Sequence, residues 1–178
     1  MASPPQPGLD RIEPVAGHPL VVGVVPGQAP LVVLTAATWA EAMSGSLVCA
    51  YVDPTRMVMT EHPDGRVEHA PVAVDGVDDS WMARETAVKA QVHAALAESE
   101  VAWQWRFLAG RADRALTHLA RAVGAGAIVV GSRSAGRWSS ARDFLEGSLA
   151  ARLSHHQHRP VVVVPGHVVD WHGEAPWG

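Results

Sequence analysis

The sequence predicts a three-layer α/β domain built on a doubly wound parallel sheet. Three observations carry this. Short apolar runs of strand length recur along the chain, at Leu20 to Val25, Ser46 to Val52, Ala127 to Val130 and Val161 to Val164. Uninterrupted runs of that kind suit strands buried on both faces. Amphipathic stretches separate them, so the strands run parallel through right-handed crossovers. The chain has 178 residues, 48% of them apolar, which suffices for one domain with its own core.

Residues 1–18 are rich in proline and polar residues and are expected to form a disordered head. Leu20 to Val25 is the first strand, and Pro26-Gly27 turns the chain. Ala29 to Met43 reads as helix, with Leu31, Leu34, Thr38 and Ala42 near one face. Ser44-Gly45 stops it. Ser46 to Val52 is the second strand, ended by Asp53-Pro54. Arg56 to Glu61 and Arg66 to Ala70 flank His62-Pro63-Asp64-Gly65, and Asp-Gly between extended runs signals a hairpin. A helix follows over about Trp81 to Glu98. Val101 to Leu108 alternates, with Trp103 and Trp105 on one face and Gln104 and Arg106 on the other, as an edge strand does. Gly110 to Gly124 carries Ala112, Ala115, Leu116, Leu119, Ala120 and Val123 at helical spacing. A last helix spans Glu146 to His158, with Leu145, Leu149 and Leu153 four apart, and Pro160 separates it from the final strand. The expected organisation is a head (1–18), one domain (19–165) and a loosely attached tail (166–178), the alternative being that Trp171 and Trp177 pack on a partner.

A net charge of −4 gives no global attraction to nucleic acid or anionic membrane. Of 14 basic residues one is lysine, Lys89, leaving 13 arginines. With so much alanine, valine and glycine this fits GC-rich coding, so an isolated arginine carries less weight. No run approaches a membrane span, and the first ten residues lack the pattern of a secretion signal, so a cytoplasmic protein is expected. The single cysteine, Cys49, lies in an apolar run and reads as a buried small residue.

The stretch Ala127 to Ser148 concentrates the candidate chemistry. A buried strand breaks at Gly131 into a polar loop with Gly136, Arg133, Arg137 and Arg142, then meets Gly147-Ser148 at a helix start. Glycines let backbone approach an anion, and a helix N-terminus offers N–H groups and partial positive charge. A plain strand–loop–helix connection is the alternative. Trp138 within the loop suits stacking on a base or packing on a neighbouring element. His155, His156 and His158 fall in the last helical turn, where imidazoles suit the negative helix end, and no metal set is expected. Neither a Gly-x-Ser-x-Gly elbow nor a phosphate loop ending in Gly-Lys-Ser/Thr occurs, so no enzyme is indicated.

Several segments in order resemble the universal stress protein family: the LVVGVV strand, FLAGRADRALTHLARAVGAGAIVVGSR, and FLEGSLAARLSHHQHRPVVVVP. The resemblance covers roughly residues 19–165. It implies a three-layer Rossmann-like fold of the adenine nucleotide alpha hydrolase-like kind, with a five-stranded parallel sheet of order 3-2-1-4-5. It also implies a homodimer through the last strand, Val161 to Val164. Nucleotide-binding members resemble one another in G-x2-G-x9-G-[ST] and in an acidic residue after the first strand. Gly131, Ser132, Arg133, Gly136, Gly147 and Ser148 are the matching positions for ATP or AMP, with Mg only alongside ATP. Here Gly131 to Gly147 is about three residues longer than that pattern, and Val25 or Pro26 stands at the acidic position. Two readings follow: a cytoplasmic stress-response regulator that binds adenine nucleotide, or a nucleotide-free scaffold acting through an as yet unidentified protein partner. Slow ATP hydrolysis would need a general base, and none is indicated.

Overall fold

The computed structural model describes residues 8–72, 80–132 and 149–166. Its elements in chain order are β1 (Leu20–Val24), α1 (Leu31–Ala42), β2 (Leu47–Asp53), β3 (Arg56–Glu61), β4 (Val67–Pro71) and α2 (Ser80–Ala95). Then come β5 (Trp103–Ala109), α3 (Ala112–Ala122), β6 (Ala127–Gly131), α4 (Leu149–His156) and β7 (Val161–Val164). Five strands form one parallel sheet in the order β5-β2-β1-β6-β7. Numbered by their own succession, that order is 3-2-1-4-5. β3 and β4 make a separate antiparallel hairpin, as the Asp64-Gly65 turn requires.

Alternation along the strands divides the core in two. Leu20, Val22 and Val24 of β1 face α1 and α2, joined by Val32, Val33, Ala36, Val88 and Val92. Val21, Ile128 and Val130 face α3 and α4, joined by Leu116, Leu119 and Leu153. Leu20, Leu116, Leu119, Ile128 and Leu153 are fully buried. Each side chain of that size contributes about 1.5–3 kcal/mol on burial. The helical spacing on α3 thus does what it predicts: Ala115, Leu116, Leu119 and Ala120 are all buried. Gly23 is tightly covered: a Cβ there would lie 3.2 Å from Leu116 and 3.3 Å from Val130, so a neighbouring side chain would have to give by a few tenths of an ångström. α3 can therefore sit close over β1.

Residues 8–18, expected within a disordered head, include a 3-10 turn at Leu9–Arg11 and are fastened to the sheet's amino edge from Glu13 onward. Arg159 Nη2 donates to Glu13 (2.9 Å) and Arg159 Nε to the Ala125 carbonyl (2.7 Å). His18 Nδ1 donates to the Gly124 carbonyl at 3.0 Å. Val15 packs on the core, and its backbone lies against Gly126. These ties are polar and distant in sequence, so composition alone does not foretell them.

The hairpin positions the far end of the sheet. It lies against β5, with the His69 and Phe107 rings 4.8 Å apart, and its turn reaches α3. Gly65 has φ +82°, and a Cβ there would stand 2.6 Å from Leu119 Cδ1. One sheet edge is thereby flanked, while β7 forms the other, with Val163 exposed. Among the described residues no helix is long and apolar enough to cross a membrane.

Candidate functional site

A doubly wound sheet binds ligands beyond the carboxyl ends of its strands, where successive crossovers leave on opposite faces. Here that point lies between β1 and β6. β1 continues into α1 on one face of the sheet, whereas β6 is followed by α4 on the other. The segments after β1, β2, β5 and β6 meet this edge.

After β1 the chain turns tightly, Gln28 N–H donating to the Val25 carbonyl at 3.2 Å. The side-chain amide of Gln91, on α2, clasps the turn. Its Oε1 accepts from Gly27 N–H at 3.0 Å and its Nε2 donates to the Val25 carbonyl at 3.4 Å. Val25 and Pro26 occupy the position where an acidic residue would stand. Gln28 Oε1 is buried with no hydrogen-bond partner among the described residues.

An acidic residue does stand at this edge, on the neighbouring strand. Asp53, the last residue of β2, is wholly buried. Its Oδ1 accepts from Thr55 N–H (2.9 Å) and Thr55 Oγ1 (2.6 Å), and its Oδ2 from Arg84 Nη2 (2.9 Å). Burial by itself would raise the Asp53 carboxyl, but the Thr55 bonds and the Arg84 guanidinium together hold it below the usual carboxylate range. Arg84 is steadied in turn by Ser80 Oγ at the start of α2. Alongside, Arg56 Nε donates to His69 Nδ1 at 2.6 Å, and its guanidinium carbon lies 4.6 Å from the Trp81 ring centroid. Burial, then the charge of Arg56, holds the His69 imidazole below its ordinary value. Sequence reading treats Asp53 as a strand stop. Its partner Arg84 lies 31 residues on, and nothing local points to it.

On the β6 side, Gly131 ends the strand in register with Val164. Ser132 N–H donates to the Val164 carbonyl (2.8 Å), and Ser132 Oγ accepts from Gly166 N–H (2.9 Å). The Ser132 N–H, expected to face an anion, is thus spent on the β6–β7 junction, though its hydroxyl keeps a proton to donate. Arg133, Gly136, Gly147 and Ser148 lie outside the described residues, as do Trp138 and the tail.

Across the same edge, at the start of α3, Asp113 is buried and carries two arginines. Arg111 Nη2 donates to its Oδ2 at 2.7 Å and Arg111 Nε to its Oδ1 at 3.2 Å. Arg152 Nε of α4 lies 3.9 Å from Oδ2. The Arg111 hydrogen bonds foremost, against the opposing effect of burial, hold the Asp113 carboxyl below the usual range.

His158 Nε2 donates to Glu13 at 3.0 Å, and among the described residues no group of three histidine, cysteine or acidic side chains is arranged for a metal. Cys49 is buried, and burial pushes its thiol up to about 12.

Fold and edge together define a doubly wound α/β domain with its topological switch point between β1 and β6. The sequence matches the model of the universal stress protein family over residues 18–165, and the chain belongs to that family. Solved structures share the fold. A universal stress protein in complex with cAMP is 21% identical, with a TM-score of 0.57, covering 85% of this chain and 99% of that one. The Archaeoglobus fulgidus universal stress protein in complex with dAMP is 16% identical, with a TM-score of 0.57, covering 82% and 96%. The Lactobacillus plantarum universal stress protein UspA is 16% identical, with a TM-score of 0.59, covering 85% and 99%. No curated protein matches the sequence.

Proposed function

We propose that this chain is a cytoplasmic regulatory protein of the stress response that binds an adenine nucleotide, ATP or AMP, beyond β1 and β6. One observation carries the reading. The topological switch point lies between β1, followed by a tight turn, and β6, which ends at Gly131 with Ser132 next in the chain. The cAMP and dAMP complexes of two proteins of the same fold support the ligand class. Gly131, the Ser132 hydroxyl, Arg133, Gly136, Gly147 and Ser148 are the phosphate-side residues of this proposal, with Mg accompanying ATP only. The protein acts by changing the population of a nucleotide-ordered state, not by turning over substrate. Titration calorimetry with ATP and AMP tests this. A micromolar dissociation constant, about −8 kcal/mol, is expected, and absence of heat from both nucleotides refutes it.

The protein further acts as a homodimer through Val161–Val164. The hairpin flanks the β5 edge, whereas β7 is the other edge strand with Val163 exposed, and among the described residues no strand pairs with its outer side. Val163→Lys should convert a dimer to a monomer in light scattering. A second reading, a nucleotide-free scaffold, draws on the engaged Ser132 N–H and on Val25 and Pro26 at the acidic position. It predicts a dimer without nucleotide affinity.

A further inference from the structure

We infer that the buried guanidinium of Arg56, a cation with no counter-ion among the described residues, is a binding site for a small oxyanion of the phosphate kind, whether or not a nucleotide binds beyond β1 and β6.

Charge comes first. Among the described residues the buried charged side chains are Asp53, Arg56, Asp113 and Arg159. Asp53 is paired with Arg84, Asp113 with Arg111 and Arg159 with Glu13. Arg56 is 7% exposed and within ion-pair reach of no acid among the described residues. A guanidinium stays charged, and burying a charge is costly unless an opposite charge offsets it. An arginine that merely reflected GC-rich coding would keep its head in solvent.

The fold also holds this cation in one place. Arg56 opens β3, and its Nε donates to His69 Nδ1 of β4 at 2.6 Å. Because Nε can only donate, the neutral imidazole carries its proton on Nε2. The guanidinium carbon lies 4.6 Å from the Trp81 centroid. The His69 and Trp81 rings lie 4.8 and 5.2 Å from Phe107 of β5. Hairpin, α2 and β5 thus build an aromatic seat. A neutral imidazole and an indole face offset part of the cost of burial and supply no negative charge. The acids that bear on His69, Asp53 and Glu85, are engaged elsewhere: Asp53 by Thr55 and Arg84, Glu85 by Trp105 Nε1 at 2.9 Å.

The unused donors define the ligand. His69 takes one N–H of the guanidinium, which leaves those on Nη1 and Nη2. These nitrogens hydrogen-bond to no described residue, yet they are not sealed from solvent as Arg106 Nε is. Such a planar fork matches two oxygens of a phosphate or sulfate at once. Its orientation is already fixed, so little side-chain freedom is lost on binding. The seat follows closely on Asp53 at the carboxyl end of β2, the ligand-binding edge of a doubly wound sheet. In the sheet β2 stands two strands from β6, about 10 Å. A free oxyanion on Arg56 is therefore distinct from a phosphate held after Ser132.

The test is an NMR titration of the full chain with inorganic phosphate at neutral pH, against sodium chloride of equal ionic strength, following the arginine side-chain N–H signals. Saturating movement of the Arg56 signals with a millimolar dissociation constant is expected, with the exposed Arg66 as the control. In calorimetry Arg56→Gln, which can still donate to His69, should weaken phosphate about 10-fold, as loss of a charge-assisted contact does. Arg56 signals that stay still, or that move no more than those of Arg66, overturn the inference, as does equal phosphate affinity in the wild type and Arg56→Gln. Should that variant fail to fold, the wild-type titration decides alone. Titration with ATP separates the two sources of the oxyanion. ATP affinity that Arg56→Gln leaves unchanged upholds a site for a free oxyanion, and a loss matching that for phosphate upholds the site with the nucleotide's own phosphate as its occupant.

Discussion

Replacing Asp53 by asparagine tests how the carboxyl edge of β2 is held. The carboxylate is 1% exposed and accepts three hydrogen bonds, from Thr55 N–H, Thr55 Oγ1 and Arg84 Nη2. Asparagine can keep an acceptor for Thr55 at Oδ1. It loses the negative charge and turns an amide donor toward Arg84. Hydrogen bonds to a charged group contribute about 1.5–3 kcal/mol each. Arg84 is about one third exposed, so solvent screening reduces its share. A net loss of about 2–3 kcal/mol follows, about 5–10 °C in Tm for a domain of this size. Because the folded-state carboxyl lies below its ordinary value, this stability is fully present above pH 4 or so and is lost as pH falls through the folded pKa. Urea unfolding followed by circular dichroism should therefore show a gap between wild type and Asp53→Asn at pH 7 that narrows toward pH 3. A gap below about 0.5 kcal/mol at pH 7, the ordinary range for surface changes, would refute the account of Asp53. So would a gap that persists unchanged in acid.

Gly65→Ala combines a positive φ with a Cβ 2.6 Å from the fully buried Leu119 side chain. It should cost about 2 kcal/mol, and a urea midpoint equal to wild type would contradict the docking of the hairpin on α3. Gln91→Ala removes both clasps on the turn after β1. The Gly27 amide should then exchange about fivefold to tenfold faster, for a loss of about 1 kcal/mol. Unchanged exchange at Gly27 would show that the turn holds itself.

The sheet and its layers were legible because they rest on local patterns. Leu20–Val24, Ala127–Gly131 and Val161–Val164 are uninterrupted apolar strands, α3 keeps a strict helical stripe, and Asp64-Gly65 marks its hairpin in four residues. The site was less legible because it is assembled from afar. Gln91 meets Val25 across 66 positions, and Arg84 meets Asp53 across 31. Arg111 and Asp113 are near neighbours in sequence, yet in a chain of 13 arginines and one lysine a single arginine gives little signal. What separates this pair is Asp113's burial and the approach of Arg152 from another helix, both tertiary facts. The engagement of the Ser132 N–H by Val164 is likewise set by strand pairing between β6 and β7, 32 residues apart in sequence.

Hydrogen exchange of the full chain with and without saturating ATP tests the central claim most directly, since it reports where ligand contacts the backbone. The account predicts slowed exchange in residues 26–31 and 131–150, with the hairpin at residues 56–71 unchanged. Identical exchange in both segments, or protection confined to the hairpin, would contradict nucleotide binding beyond β1 and β6.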